Sequence, residues 1–421
     1  MAPSSDADEP NDIASSDPPM EDTTVTKKRS LNSSIGTLTS PSSSSIITLR
    51  NSLHIPLPPP PVPTLPFELI VEILYKLPVK SLMQFQCVCK SWKSLISDPK
   101  FAKKHFRISK KHHHLISIST DSARVEFIYM SYPLSSIFTE VNAMQLEYPL
   151  TIRHRFDSIV GSCHGILCIV MHHDDSFILW NPSIKKLTKL PCLEMTSHQV
   201  YEFSFGYDHS SDSYKVVARV CNALVINGPR VLKTLVKVHT LGTNSWRTIQ
   251  DFPSGLTHAD GPGKFVCGTI NWLTFRSVPN STSFWCIISL DLEKESYLEI
   301  MQPDYGGVTL TCLKLGVLRD CLSIFFHSDT FTDIWFMKEY GNKESWIKLF
   351  HVPVVRDLGS YPYVCALYVS EDDQVLLYNI RSELVIYNSR GGTFKDLNIR
   401  NTYGLKRGTQ VYQESLISPC F

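Results

Sequence analysis

The sequence lacks the segments that would send a chain out of the cell or across a membrane. Its N-terminus has no basic stretch followed by an apolar run, and nowhere do about eighteen apolar residues follow one another without a charge. The 12 cysteines form no Cys-x-x-Cys pair and no compact cluster, which is typical of buried thiols in a reducing compartment. We therefore expect a soluble, non-secreted protein of the cytoplasm, the nucleus or both.

An excess of charge of one sign is also missing. The chain has 41 Lys and Arg against 40 Asp and Glu, a formal net charge of +1. A general nucleic-acid or membrane-surface binder needs a strong basic excess, so we expect neither a nucleic-acid nor a membrane partner. Apolar residues make up 43% of the chain, which is enough for a sizeable core.

Large side chains are absent from the first part of the chain. Residues 1–66 contain no Phe, Trp, Tyr or Cys, whereas Ser and Pro are abundant. Such a segment cannot bury enough apolar surface to offset the entropy that folding costs. The composition therefore predicts a disordered tail over residues 1–62.

Three short helices are predicted in the next forty or so residues. The first follows Pro66 and ends at Pro78, and the third begins at Asp98 and Pro99. Apolar residues at helical spacing support the first two helices: Leu69, Ile70, Ile73, Leu74 and Leu77, then Leu82, Phe85, Val88, Cys89 and Trp92. A module this small is not robust alone, so either a partner protein or the rest of the chain must cover its apolar faces.

The pattern changes to short strands from Leu115 onward, and these strands repeat. Equivalent apolar strands end near Trp180, His239, Leu290, Trp335 and Tyr387, with spacings of about 59, 51, 45 and 52 residues. Kelch blades repeat at roughly 50 residues. With an earlier unit around residues 125–130, the sequence predicts about six propeller blades, closed by a terminal strand near residues 412–417. A series of two-sheet sandwiches is the alternative architecture.

No motif for catalysis or metal binding is present. The sequence has no phosphate-binding loop, no dinucleotide fingerprint, no His-Glu-x-x-His and no Gly-x-Ser-x-Gly. His112 to His114 and the pair His172 and His173 bring no third ligand at a defined spacing, so we expect solvated loop histidines and no metal or cofactor. A basic stretch over residues 90–111 is interpreted as a solvated face beside an acidic partner.

Residues 65–106 resemble the F-box, the helical module that docks onto Skp1-type adaptors of cullin-RING ubiquitin ligases. The matching segments are LP at 65–66, IL at 73–74, LPVKSL at 77–82, VCKSW at 88–92 and DPKF at 98–101. The sequences PVKSL and VCKSW are typical of plant F-box proteins. The following region resembles the F-box-associated, kelch-like domain. It carries GSCHGILC at 161–168, WNP at 180–182, FGYD at 205–208 and YQESL at 412–416.

The resemblance implies a multidomain α+β protein. A disordered tail at 1–62 would be followed by a three-helix F-box at 63–108 and an all-β, kelch-like propeller at 113–421. The residues implied to fill the Skp1 groove and the core of the module itself are Leu65, Pro66, Ile73, Leu74, Leu77, Pro78, Val79, Leu82, Val88, Cys89, Trp92 and Leu95.

The implied function is that of the substrate-recognition subunit of an SCF (Skp1-cullin-F-box) ubiquitin ligase, which contributes no catalytic residue and binds an unidentified target protein. Target-binding candidates lie in turn-rich segments at 222–230, 258–264, 279–283 and 304–307. They include Asn227, Arg230, His258, Asp260, Asp304 and Tyr305. The alternatives are an F-box adaptor that does not cause degradation and a soluble kelch-propeller enzyme.

Overall fold

The computed structural model describes most of the chain after its N-terminal segment. The described residues are 65–109, 111–121, 126–147, 157–172, 174–196, 199–225, 230–257, 261–276, 284–308, 311–354, 364–379, 383–400 and 409–420. The chain divides into two units, Met1–Pro63 and Thr64–Phe421, and every described residue belongs to the second unit. The predicted disordered tail lies outside the described residues.

Four short helices open the described chain. They are α1 (Phe67–Tyr75), α2 (Val79–Phe85), α3 (Lys90–Ile96) and α4 (Pro99–Ile108). The sequence predicts one continuous helix where α2 and α3 are found. The two are separate because Cys89 is extended, with φ of −158° and ψ of 166°. The predicted start of the last helix is confirmed, since the Asp98 carboxylate accepts from the backbone N–H of Lys100 at 2.6 Å.

The helices pack around a small shared core. Leu74, Leu82 and Ile96 are almost fully buried, and the rings of Tyr75 and Phe101 stack at 4.5 Å. These residues belong to a larger apolar cluster that continues into the strands of the following β region. The helical module therefore fills part of its core with residues from elsewhere in the chain.

The strands form six antiparallel sheets, with labels following chain order. The first three contain β25 (Thr409–Gln413), β1 (His113–Asp121), β2 (Glu126–Pro133) and β3 (Met144–Leu146); β4 (Asp157–Cys163), β5 (Ile166–Met171), β6 (Ser176–Asn181) and β7 (Lys186–Leu190); and β8 (Gln199–Asp208), β9 (Ser213–Val225), β10 (Arg230–Thr240) and β11 (Arg247–Thr248). A short helix, α5 (Leu134–Ile137), lies between β2 and β3.

In the first three sheets the strand named first is the innermost and the strand named last is the outermost, and the last three sheets are arranged in the same way. They contain β12 (Leu256–Thr257) and β13 (Lys264–Val266), both paired with β14 (Thr269–Arg276), then β15 (Phe284–Asp291) and β16 (Tyr297–Ile300); β17 (Cys312–Leu318), β18 (Cys321–His327), β19 (Phe331–Met337) and β20 (Trp346–Pro353); and β21 (Val364–Val369), β22 (Gln374–Asn379), β23 (Glu383–Asn388) and β24 (Thr393–Arg400). A 3-10 helix, Lys343–Ser345, precedes β20.

The six sheets are the blades of a closed propeller. The innermost strands β25, β4, β8, β13, β17 and β21 contact one another in that order around a ring. The five positions that the sequence aligned all lie in the third strand of their blades, from Trp180 in β6 to Tyr387 in β23. The predicted six-bladed architecture is therefore confirmed.

The C-terminal strand closes the ring by joining the first blade. Strand β25 pairs with β1, with Tyr412 opposite His114. The closing strand ends at Gln413, earlier than the sequence predicts. Beyond it, the carbonyl oxygens of Ser415 and Ile417 accept hydrogen bonds from the buried Asn181 side chain, at 3.0 and 2.8 Å, instead of continuing the ladder.

The two faces of the ring are distinguished by their turns. We call the face that carries the turns between first and second strands the proximal face, because α4 and the segment after it contact such turns at His164, Asp212 and Asp320. The opposite face, where second strands connect to third strands, is called the distal face. The helical module therefore lies against the proximal face.

Candidate functional site

The helical module exposes a group of large apolar side chains. Leu65 is 58% exposed, Ile73 is 49% exposed and Val88 is 62% exposed. Phe67 and Leu69 are similarly exposed on α1. Few segments this short leave so many large apolar side chains in water, so this group is the candidate interaction surface.

The structure sorts the predicted Skp1-binding residues by exposure. Leu65, Pro66, Ile73, Pro78, Val88 and Cys89 are exposed, Leu77, Trp92 and Leu95 are half-buried, and Leu74, Val79 and Leu82 are buried. The buried residues pack the core of the module, and only the exposed ones can contact a partner without rearrangement. We call the exposed residues Leu65, Phe67, Leu69, Ile73 and Val88 the apolar surface.

Sequence reasoning did not assign Phe67 and Leu69 to this surface. Leu69 lies four residues before Ile73, a spacing that places both on one side of a helix. That spacing was the available signal. Periodicity does not reveal which apolar face the rest of the chain covers, so the sequence predicts Leu69 only as part of an amphipathic helix.

The half-buried residues connect the surface to the core. The rings of Phe85 and Trp92 meet edge to face at 5.4 Å, and the ring nitrogen Nε2 of buried His105 lies 2.8 Å from the carbonyl oxygen of Leu77. Burial lowers the pKa of His105, so its imidazole is neutral near pH 7. These contacts join α2 to α3, and join α4 to the turn between α1 and α2.

Cys89 lies at the beginning of α3, beside the apolar surface. Its thiol is exposed and lies 3.1 Å from the Ser91 hydroxyl. This hydrogen bond, with the backbone N–H of Trp92, lowers the pKa of the thiol. The side chain therefore has more polar character than the apolar residues around it.

The basic stretch has two different environments. Lys103 pairs with Asp212 and Lys111 pairs with Asp320 at 2.5 Å, and both acids lie in proximal turns of the propeller. The ammonium group of Lys104 lies 4.7 Å from the centre of the Tyr75 ring. Lys90, Lys93, Lys100 and Arg107 are exposed to solvent. An acidic partner for these exposed cations stays a prediction.

Of the six candidate target-binding residues, three can be placed. Asn227, His258 and Asp260 lie outside the described residues. Arg230 begins β10, where its backbone pairs with Val225. Asp304 is exposed, and its carboxylate accepts from the backbone N–H of Gly306 at 2.9 Å.

Tyr305 is mainly a packing residue. Its ring stacks on Phe326 at 4.6 Å, and its hydroxyl donates to Gln302 at 3.0 Å. Burial raises the pKa of its phenol. Asp304 is therefore more accessible to a protein partner than the neighbouring Tyr305.

All four candidate segments adjoin strand ends on the distal face. Segment 222–230 joins the second and third strands of blade 3, and segment 279–283 lies between β14 and β15 in blade 4. Segments 258–264 and 304–307 precede the innermost strands β13 and β17. Of the described candidates, Arg230 begins a third strand and Asp304 follows a fourth strand, so both lie on the face opposite the helical module.

The prediction of solvated loop histidines is wrong for His113 and His114, which begin β1, where His114 is buried. The His114 ring lies 3.0 Å from the Ser131 hydroxyl and 3.2 Å from the Glu414 carboxylate, and His172 lies 3.0 Å from Ser158. His173 lies outside the described residues. Within the part of the chain that the structure describes, no three His, Cys, Asp or Glu side chains gather as a metal site would require.

Two cysteines of blade 2 are poor nucleophiles. Cys163 and Cys168 are buried, and burial raises the pKa of both thiols, so they are protonated near neutral pH.

Across the described ranges, no helix is both long enough and apolar enough to span a bilayer.

A helical module with an exposed apolar surface, seated on a six-bladed propeller, defines a class of interaction proteins. Residues 63–104 match the F-box domain, and residues 107–419 match the F-box associated beta propeller domain. The second match covers more than half of the chain. The chain therefore belongs to the family of F-box proteins with an F-box-associated propeller.

The chain is also similar to several F-box proteins of Arabidopsis thaliana. The F-box/kelch-repeat protein At3g23880 is 34% identical over 370 residues, which cover 84% of this chain and 96% of the relative. F-box protein CPR1 is 27% identical, covering 77% of this chain and 81% of the relative. F-box protein At3g07870 is also 27% identical, covering 79% and 87%. The predicted family is therefore confirmed.

Proposed function

We propose that this chain is the substrate-recognition subunit of an SCF-type E3 ubiquitin ligase. The observation that carries the proposal is the apolar surface of the F-box, whose side chains are exposed although the core beneath them is already filled. The match to the F-box domain and the F-box relatives support a Skp1-like adaptor as the partner that covers it. Burying the exposed half of one such side chain contributes about 1 kcal/mol.

The chain's contribution to ubiquitin transfer is proximity. Holding a target near a ubiquitin-charged E2 enzyme turns a bimolecular encounter into a local one, which raises the effective concentration of the reacting groups. No catalytic residue of this chain is needed for that role. We propose accordingly that the chain has no enzymatic activity of its own and uses no cofactor.

The target is proposed to bind on the distal face of the propeller. The F-box lies against the proximal face, and the four candidate segments adjoin distal strand ends. Asp304 is the exposed candidate on this face. A target bound there would be separated from the adaptor by the thickness of the ring, so the two partners would not compete for the same surface.

We also propose domain limits and a location for the chain. The proposed limits are a tail at 1–62, the F-box at 63–108 and the propeller at 113–421. The proposed location is the cytoplasm, the nucleus or both, because a Skp1-cullin ligase would be met there. The proposed partners are the adaptor, the cullin-RING ligase reached through it and one or more target proteins, without nucleic acid or membrane.

Co-expression with a Skp1-like adaptor tests the proposal. Ile73→Asp places a charge within the apolar surface, and Ile347→Asp is a matched control on β20 because Ile347 is 45% exposed against 49% for Ile73. We expect a one-to-one complex on size exclusion with wild type and Ile347→Asp, but not with Ile73→Asp.

The same preparation separates the alternatives. Wild-type chain that binds the adaptor but never joins a cullin would support an adaptor without degradation. Folded wild-type chain that binds no Skp1-like adaptor would contradict the proposal and favour the alternative of a soluble kelch-propeller enzyme.

A further inference from the structure

The F-box helices do not have a separate core. Leu74, Leu82 and Phe101 belong to the same buried cluster as Cys163, Tyr207 and Tyr214 of blades 2 and 3. A helical segment of about forty residues rarely folds alone, because it buries too little of its surface. The propeller supplies apolar surface that this short segment lacks.

Phe106 on α4 makes a direct aromatic contact across this junction. Its half-buried ring meets the His164 ring edge to face, with the centres 5.2 Å apart and an angle of 65°. His164 lies in the proximal turn between β4 and β5, 58 residues further along the chain. The pair therefore joins the last F-box helix directly to blade 2.

His164 is itself held firmly by blade 3. Its ring lies edge-on to Tyr207 at 4.7 Å and to Tyr214 at 5.9 Å, and its Nδ1 lies 3.2 Å from the Tyr214 hydroxyl. The backbone of His164 is left-handed, with φ of 50°, and Gly165 follows with φ of 80°. A Cβ atom at Gly165 would lie 2.5 Å from the Gln413 carbonyl oxygen, so this turn packs closely against the closing strand and requires glycine there.

The contacts return from blade 3 to α4. The Tyr207 hydroxyl donates to the Asp212 carboxylate, which also pairs with the ammonium group of Lys103 on α4. Lys103 lies three residues before Phe106, so both side chains project from neighbouring positions of one helix. We call the closed set Lys103, Phe106, His164, Tyr207, Asp212 and Tyr214 the clamp.

The surroundings of the His164 ring favour its neutral form. Burial is the main cause, and the nearby His209, Lys103 and Arg107 act in the same direction, so that the pKa of His164 falls to about 4 despite Asp212. A neutral imidazole suits a site enclosed by aromatic rings. The clamp is therefore intact at neutral pH.

We propose that the clamp keeps the F-box helices folded and ready to bind before an adaptor arrives. His164, Tyr207 and Asp212 are positioning residues of the propeller, because they act on the adaptor surface only through α4. A module that is ordered in the free chain does not spend adaptor-binding energy on folding, and loss of the ordered fraction weakens apparent affinity in proportion. This consequence for affinity rests on the proposed adaptor function, whereas the order of the free helices does not.

Hydrogen exchange of the free, full-length chain tests the proposal without an adaptor. We expect the amides of α1 to α4 to be protected in wild type, and to lose nearly all of that protection in Phe106→Ala and in His164→Gly, where about a tenth of the free chains would keep the helices ordered. Glycine accepts the left-handed backbone at position 164, so this variant removes the ring with little strain. The strands of the propeller should keep their protection in both variants.

Matched controls separate the clamp from general effects of mutation. Ile108→Ala shortens a 54% exposed side chain of the same helix, and Lys185→Gly makes the glycine change at another left-handed turn of blade 2, with φ of 55°. Phe106→Tyr retains the ring. All three variants should exchange like wild type.

Adaptor titration of the same variants gives the second readout. We expect about tenfold weaker binding for Phe106→Ala and His164→Gly, with Phe106→Tyr and both controls close to wild type. Unprotected F-box amides in the wild-type chain, or equal protection in wild type and both clamp variants, would overturn the proposal. Protected helices that bind no adaptor would instead contradict the proposed function and leave the clamp standing.

Discussion

Replacing Ile73 and Leu82 separately with alanine should separate binding from folding. Ile73 is 49% exposed, whereas Leu82 is 0% exposed. Full burial of an isoleucine side chain contributes about 1.5–3 kcal/mol, so the half that an adaptor still has to bury contributes about 1 kcal/mol. Ile73→Ala should therefore weaken adaptor binding about fivefold while leaving the unfolding temperature unchanged.

Leu82→Ala should act on the chain itself. Loss of a fully buried leucine side chain costs about 2–5 kcal/mol, because the surrounding side chains cannot close the cavity completely. Calorimetry and thermal unfolding of each variant check both expectations. Equal adaptor affinity for Ile73→Ala and wild type, or an unfolding temperature of Ile73→Ala as low as that of Leu82→Ala, would refute the assignment of Ile73 to the apolar surface.

Three further predictions follow from particular contacts. His164 has a pKa of about 4 in the folded chain and about 6.5 when unfolded, so its contribution is complete above pH 6.5 and declines as the pH falls towards 4. As the pH falls over that range, the free energy of unfolding of wild type should therefore decrease by up to about 3 kcal/mol more than that of His164→Asn. Denaturant unfolding at each pH measures this difference. Replacing the exposed Lys93 and Lys100 with Glu should slow association with an acidic adaptor several-fold at low salt and make the association rate less dependent on salt. Stopped-flow measurements would show both effects, and an unchanged rate would count against an acidic partner. Asn181→Ala should destabilise the propeller by about 1–3 kcal/mol, because two buried carbonyl groups of the closing segment lose their donor, and unchanged thermal unfolding would contradict this role.

The fold could be predicted from the sequence wherever local patterns repeat. Trp180, His239, Leu290, Trp335 and Tyr387 each end an apolar strand, and their spacing predicts the blades because each blade must bury the same kind of strand against its neighbour. The first and last F-box helices could also be predicted, since helical periodicity and proline placement are local signals. The break between α2 and α3 could not, because the extended Cys89 is marked by neither proline nor glycine.

Burial within the F-box could not be predicted in the same way. Leu82 and Ile73 both lie at apolar helical positions, but only Leu82 lies in the core shared with the propeller. The difference depends on contacts between distant parts of the chain, such as Phe106 with His164, for which no spacing rule exists. From the sequence, either a partner protein or the rest of the chain could cover the apolar faces of these helices, and the two are not exclusive. The propeller covers one side of the module, and the apolar surface is left for a partner.

Pairing in the basic stretch illustrates the same limit. Lys103 and Lys93 have the same charge and similar surroundings in the sequence, but Lys103 meets Asp212 across the junction, 109 residues away. Only the fold brings those two residues together. The sequence therefore predicts a basic region but not which of its cations are already paired within the chain.

Reconstitution with a Skp1-like adaptor and a cullin tests the central claim most directly. Light scattering coupled to size exclusion should show one copy of this chain, one adaptor and one cullin in a single particle, and Ile73→Asp should leave the adaptor and cullin to elute without the chain. Well-folded wild-type chain that elutes apart from an intact adaptor-cullin complex would contradict the receptor function.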